Sequence, residues 1–177
     1  MEYGNKRIIR KRRIHEQSRE GLLVENELEE LLQMENMIRN LKEVHKNSII
    51  LIRIGTFYHA YGKDAYIMSY LFNYQIKNVG KGYNTCGMPV SGLNKVLKVL
   101  EDKKIDYLVL IKSQNYDEEA KKEFNVNNRY LEIYEKAYRN INLKKRINAV
   151  YDYLIENIEQ PNIKTIIQKV EDCIDTN

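Results

Sequence analysis

The sequence predicts an α/β fold, a mixed sheet flanked by helices with a helical extension at its C-terminal end, and three observations predict it. Two short apolar runs, Ile49 to Ile54 and Ile105 to Ile111, have the composition and length of buried strands. The chain between them holds two segments with apolar residues at helical spacing. Beyond Lys112 the composition turns polar and helical for the rest of the chain. Strand, helix, loop, helix and strand in that order describe layers packed around one core.

From Glu25 to His45, the residues Leu28, Leu31, Leu32, Ile38, Leu41 and Val44 recur at three- and four-residue spacing. Acids come early and Lys42, His45 and Lys46 come late, so this amphipathic helix suits its own dipole. Asn47 and Ser48 end it, and the strand Ile49 to Ile54 stops at Gly55. After a tight junction at Gly62, a helix is expected from Lys63 to about Tyr74, with Ala65, Met68, Leu71 and Phe72 facing inward. Gly80, Gly82, Gly87 and Pro89 punctuate a loop. Leu93, Val96, Leu97 and Leu100 fit one face of the next helix. In the extension, Leu131, Tyr134 and Tyr138 mark one helix and Ile147, Tyr151, Leu154 and Ile158 a second. Ile163, Ile166, Ile167, Val170 and Ile174 mark a third, opened by Pro161 in its first turn. The expected division is a basic arm over residues 1–22, an α/β domain over 23–115 and a helical extension over 116–177.

The 177 residues give room for one ordinary domain and an appended element. The formal charge is only +4, but its placement matters. Met1 to Arg19 holds Lys6, Arg7, Arg10, Lys11, Arg12, Arg13 and Arg19 against Glu2 and Glu16, a net +5 on a near-neutral body. Such an arm fits a phosphate backbone, whose neutralisation releases counterions, although many basic runs are only solvated tails. No run of eighteen apolar residues occurs, and no hydrophobic region follows the basic stretch. A membrane span and a secretory signal are therefore not expected, and the cytoplasm is the default compartment. Cys86 and Cys173 lie far apart and outside any CxxC or Cys/His cluster, so both read as reduced structural thiols.

Catalytic and cofactor signatures are missing. Gly82 and Gly87 have P-loop separation, but Met88 and Pro89 stand where Lys and Ser or Thr are needed, so ATP binding is not expected. His15, His45 and His59 are too dispersed for a metal triad, and no GxSxG elbow exists. Asp117, Glu118 and Glu119 read as a solvated polar turn. A non-enzymatic protein without cofactors is the expectation.

Two motifs within Ile49 to Ile111 carry a resemblance. The first is Arg53-Ile-Gly55-Thr-Phe57-Tyr58-His59-Ala-Tyr61-Gly62-Lys-Asp64-Ala65, and the second is Cys86-Gly87-Met88-Pro89 with a helix and a strand behind it. In order and spacing this segment resembles the N-terminal mismatch-recognition domain of MutS-type DNA mismatch repair proteins. The resemblance implies that Phe57 occupies the position of a Phe that wedges into the duplex and stacks on a mispaired base. The family's Glu two residues later, which hydrogen-bonds to that base, is replaced here by His59. In that respect the chain is similar to the eukaryotic partner subunit of the family, which lacks the Glu and is not the mismatch-specific reader. If the chain stays extended past Gly55, Phe57 and His59 share a side while Tyr58 turns away. The competing reading makes Phe57 and Tyr58 core aromatics and His59 an exposed strand-end residue.

Lys81, with Lys77 and Tyr83, extends the candidate surface, so the nucleic-acid-binding set comprises Phe57, His59, Lys81 and the arm residues Lys6 to Arg13. Duplex or hybrid nucleic acid is the expected partner. MutS proteins continue into connector, lever, clamp and ATPase domains that 177 residues cannot hold, so coupling to ATP is expected either from another chain, such as a MutS-type ATPase, or not at all. The alternative is an accessory module, for example for the reverse transcriptase of a diversity-generating retroelement. Its docking surface would be built from Tyr130, Tyr134, Tyr138, Tyr151 and Tyr153.

Overall fold

The computed structural model describes residues 29, 32–78, 83–112, 116–124, 126 and 128–175. The chain divides after Lys46 into two units. The described part of the first is helix α1 over residues 32–44, which falls within the amphipathic segment expected from Glu25 to His45.

In the second unit, β1 (Ile49–Ile54) and β2 (Phe57–Tyr61) form an antiparallel hairpin with Ile54 opposite Phe57. Only Gly55 and Thr56 lie between them, and Gly55 takes φ +61, which the first position of such a short turn requires. Helix α2 (Lys63–Phe72) follows. It stops short of Tyr74 because Asn73 adopts the left-handed conformation (φ 57) and donates its N–H to the Ser69 carbonyl at 2.8 Å.

Next come β3 (Ile76–Asn78), β4 (Asn84–Pro89), a 3-10 turn at Val90–Gly92, α3 (Leu93–Asp102) and β5 (Tyr107–Ile111). After them come β6 (Asp117–Lys122), α4 (Arg129–Glu156) and α5 (Pro161–Asp175). The sheet is six-stranded in the order β3-β4-β2-β1-β5-β6, parallel at β1–β5 and antiparallel elsewhere. It is thus the mixed α/β architecture that the sequence predicts.

Residue alternation divides the sheet into two faces. Ile49, Leu51, Tyr58, Ala60, Cys86, Met88, Tyr107 and Val109 join Ala65 and Met68 of α2, Val96 and Leu100 of α3, and Tyr130 and Ile133 of α4 in the core. Ile50, Ile52, Leu108 and Leu110 occupy the other face and are buried as well, so β1 and β5 read as unbroken apolar runs. One carboxylate ties three elements together. Asp64, buried in the first turn of α2, accepts the Ile50 N–H (2.9 Å) and the Tyr130 hydroxyl (2.6 Å).

Four sequence readings need correction. Residues 84–89, read as loop, are a strand, because pairing with both β2 and β3 satisfies their backbone and buries Thr85, Cys86 and Met88. Asp117, Glu118 and Glu119, read as a polar turn, open the charged edge strand β6, and such strands resist adventitious pairing. Its Glu119 accepts the hydroxyl hydrogen bond of Tyr58. The two helices expected around Tyr134 and Tyr151 are one 28-residue helix, since no Gly or Pro interrupts it. Leu131 points outward, because Tyr130, Ile133 and Ala137 form the docking face.

Candidate nucleic-acid interface

The β1–β2 hairpin decides how the aromatic motif is displayed. Phe57 is the first residue of β2, beside the two-residue turn, and 47% of its surface is exposed. Tyr58 turns to the opposite face and is fully buried. Burial, then its hydrogen bond to Glu119, pushes its phenol up to about 12, so it stays a neutral donor. The pair thus separates into one core aromatic and one surface aromatic.

His59 shares the Phe57 face, with ring centroids 6.4 Å apart. The row continues through Tyr61, 6.2 Å from His59, and Tyr83, 6.2 Å from Tyr61. Alternation places these β2 rings on the side away from α2, α3 and α4. Gly87 lies opposite His59, and a Cβ there would rest only 3.6 Å from the imidazole Cε1, so the ring sits directly over β4. Tyr61 is almost fully covered; burial, then Tyr116 and Tyr83, pushes its phenol up to about 12. Exposure therefore falls from the Phe57 end of the row toward Tyr61.

Burial, then the nearby charge of Lys77, lowers the His59 pKa below its ordinary 6.5. The imidazole is neutral at pH 7 and can donate or accept a hydrogen bond. An unfolded chain takes up this proton more readily, so the stability His59 contributes is complete above about pH 6.5 and is lost as pH falls toward the lower folded value. Urea titrations at neutral and mildly acidic pH should show a smaller acid loss in His59→Gln than in the parent. Identical acid losses would remove His59 from this effect.

The sequence-predicted site residues fall into two groups. Phe57 and His59 come together on one face, and Lys77, foreseen as a neighbour of Lys81, acts on His59 from β3. Lys81 and the arm residues Lys6, Arg7, Arg10, Lys11, Arg12 and Arg13 lie outside the described residues. Sequence reading did not single out Tyr61 and Tyr116 for this surface. Tyr61 was accessible to it, since it stands four residues from Phe57 in a strand of period two. Tyr116, the residue before β6, comes close from a segment distant in sequence. Burial pushes the Cys86 thiol up to about 12, which leaves it un-ionised and unreactive in the core. Among the described residues no group of three His, Cys, Asp or Glu side chains could hold a metal ion.

The sequence profile of one family, described as MutS domain I, matches residues 33–137. The chain belongs to the MutS domain I family. Among curated proteins, none matches the chain. The MutS domain I match takes in every strand of the sheet, β6 included, and the start of α4 with its buried Tyr130, Ile133 and Ala137. Residues 138–177 lie beyond it. MutS domain I is a non-catalytic DNA-binding module concerned with mismatch recognition. Within the matched residues lie the exposed Phe57, the buried Tyr58, His59 on the Phe57 face, and the structural Asp64. No helix among the described residues is long and apolar enough to cross a membrane.

Proposed function

We propose that the protein binds duplex or hybrid nucleic acid at the β1–β2 end of its sheet, without catalysis, and that Phe57 inserts at base steps where pairing is already weak. The basic arm over residues 1–22 holds the phosphate backbone. The observation that carries this reading is the display of Phe57, exposed on a two-residue hairpin whose next residue is locked into the core. A ring held so firmly reaches a base at little entropic cost, and stacking returns roughly 1–3 kcal/mol per base. Resistance is least where a base is unpaired or mispaired. His59 faces the same side as a neutral group, free of the repulsion that a carboxylate meets near phosphates. Overall affinity therefore gains and mismatch selectivity declines relative to a Phe-x-Glu pair.

Anisotropy titrations with labelled duplexes test this reading. A duplex with one unpaired base should bind more tightly than its perfectly paired counterpart, by about tenfold if roughly 1.4 kcal/mol of stacking is recovered. His59→Glu should widen that ratio while lowering affinity for both. Equal affinity of the parent protein for the two duplexes would contradict insertion. The alternative, an accessory module that docks on a MutS-type ATPase or a reverse transcriptase, draws support from the exposed apolar residues of α4 and α5.

A further inference from the structure

The C-terminal third of the chain carries an apolar surface that the nucleic-acid reading does not use. Helix α4 docks through Tyr130, Ile133 and Ala137, and from Leu143 onward its apolar residues, the half-buried Leu154 excepted, emerge into solvent. Leu143, Ile147 and Val150 are each more than half exposed and, with Arg146, line a shallow apolar depression. In α5 only Ile163 is buried, while Ile166, Ile167, Val170 and Ile174 are exposed. Asn157 to Gln160 connect the two helices, a link short enough for a closed hairpin, yet beyond the half-buried Leu154 and the buried Ile163 beside that link, Leu143, Ile147 and Val150 of α4 and Ile167, Val170 and Ile174 of α5 stay open. A lone helix of fifteen residues is marginal in water, so α5 requires a covering surface.

The two stripes fit each other. Leu143, Ile147, Val150 and Leu154 follow the spacing i, i+4, i+7, i+11, and so do Ile163, Ile167, Val170 and Ile174. This is the seam of a coiled coil, where knobs of one helix enter holes of the next. Charge selects the direction. Lys144 and Arg146 flank the α4 stripe near its start, and Glu171 and Asp172 lie near the end of α5. An antiparallel pairing brings these opposite charges level with each other and sets Lys164 between the levels of Asp152 and Glu156. A parallel pairing would set Lys164 against Lys144 and Arg146.

We infer that the protein is a homodimer in which α5 of each copy lies antiparallel along the second half of α4 of the other. The partner is a second copy because the surface that α5 matches in spacing and charge is carried by this same chain. Exchange of an identical element gives a closed two-fold assembly in which each α4 and each α5 is covered once. The assembly stands independently of what the sheet binds.

Sedimentation velocity on the full chain tests the inference. The parent protein should sediment with twice the monomer mass, and Ile147→Asp combined with Val150→Asp should halve that mass while leaving the unfolding transition of the sheet domain in place. A charge exchange then tests the direction. Lys144→Glu with Arg146→Glu, and separately Glu171→Lys with Asp172→Lys, should each shift the protein toward monomer. A mixture of these two variants should recover the dimer, because each reversed surface then meets its complement on the other chain. A parent protein that is monomeric at every concentration, as closure of α5 on its own α4 would make it, overturns the inference. So does a dimer indifferent to the Ile147 and Val150 substitutions, or a variant mixture that fails to reassociate.

Discussion

Replacing Asp64 with Ala should destabilise the protein by roughly 2–6 kcal/mol, because each buried donor left without its acceptor costs about 1–3 kcal/mol. The donors are the Ile50 N–H in the central part of the sheet and the hydroxyl of Tyr130, buried at the start of α4. Against a typical total stability of about 5–15 kcal/mol, such a loss is severe. Tyr130→Phe should cost less, since it removes one donor and leaves the carboxylate its backbone partner. Urea unfolding of the two variants beside the parent checks the order. An Asp64→Ala protein as stable as Tyr130→Phe would show that this carboxylate does not hold β1, α2 and α4 together.

Deleting Met1 to Arg19 should flatten the salt dependence of nucleic-acid binding. Each phosphate contact contributes about 0.9 to the slope of log affinity against log salt on duplex DNA. If all seven Lys and Arg side chains of the arm engage, the slope should become shallower by about 6. The loss should be nearly the same for paired and mispaired duplexes, because phosphate contacts position a protein without reading sequence. Affinity measured over a range of salt concentrations gives both slopes, and equal slopes would remove the arm from the interface.

The central strands and the packing helices were legible because their signals are local. β1 and β5 announce themselves as apolar runs, and α3 shows its buried Val96 and Leu100 at helical spacing. β4 was not legible, because Gly87 and Pro89 are turn residues by local rule and only pairing on both sides makes Asn84–Pro89 a strand. β6 was hidden for a related reason. Its Asp-Glu-Glu-Ala-Lys-Lys run has the composition of a solvated segment, and its place is fixed by β5 rather than by its own propensity.

The candidate site was legible in part. Phe57 and His59 follow from strand alternation, whereas the depth of Tyr61 and the approach of Tyr116 depend on segments distant in sequence. Asp64 was visible as a motif residue, but an acid in a first helical turn is ordinarily a solvated partner of the helix dipole. Only the placement of Tyr130, sixty-six residues later, reveals its structural task.

The central claim is that Phe57 serves the ligand rather than the core, and Phe57→Ala separates the two. Truncating a side chain that is 47% exposed leaves no closed cavity, so urea stability should stay within about 1 kcal/mol of the parent. Affinity for a duplex with an unpaired base should fall by about 1–3 kcal/mol, while affinity for a fully paired duplex changes little. Loss of a core aromatic would instead cost roughly 3–5 kcal/mol of stability. The decisive measurement is therefore paired on one preparation: urea unfolding, and anisotropy titration with the two duplexes. A stable variant that no longer prefers the unpaired base is the predicted result, and a destabilised variant, or a stable one with unchanged binding to both duplexes, would contradict it.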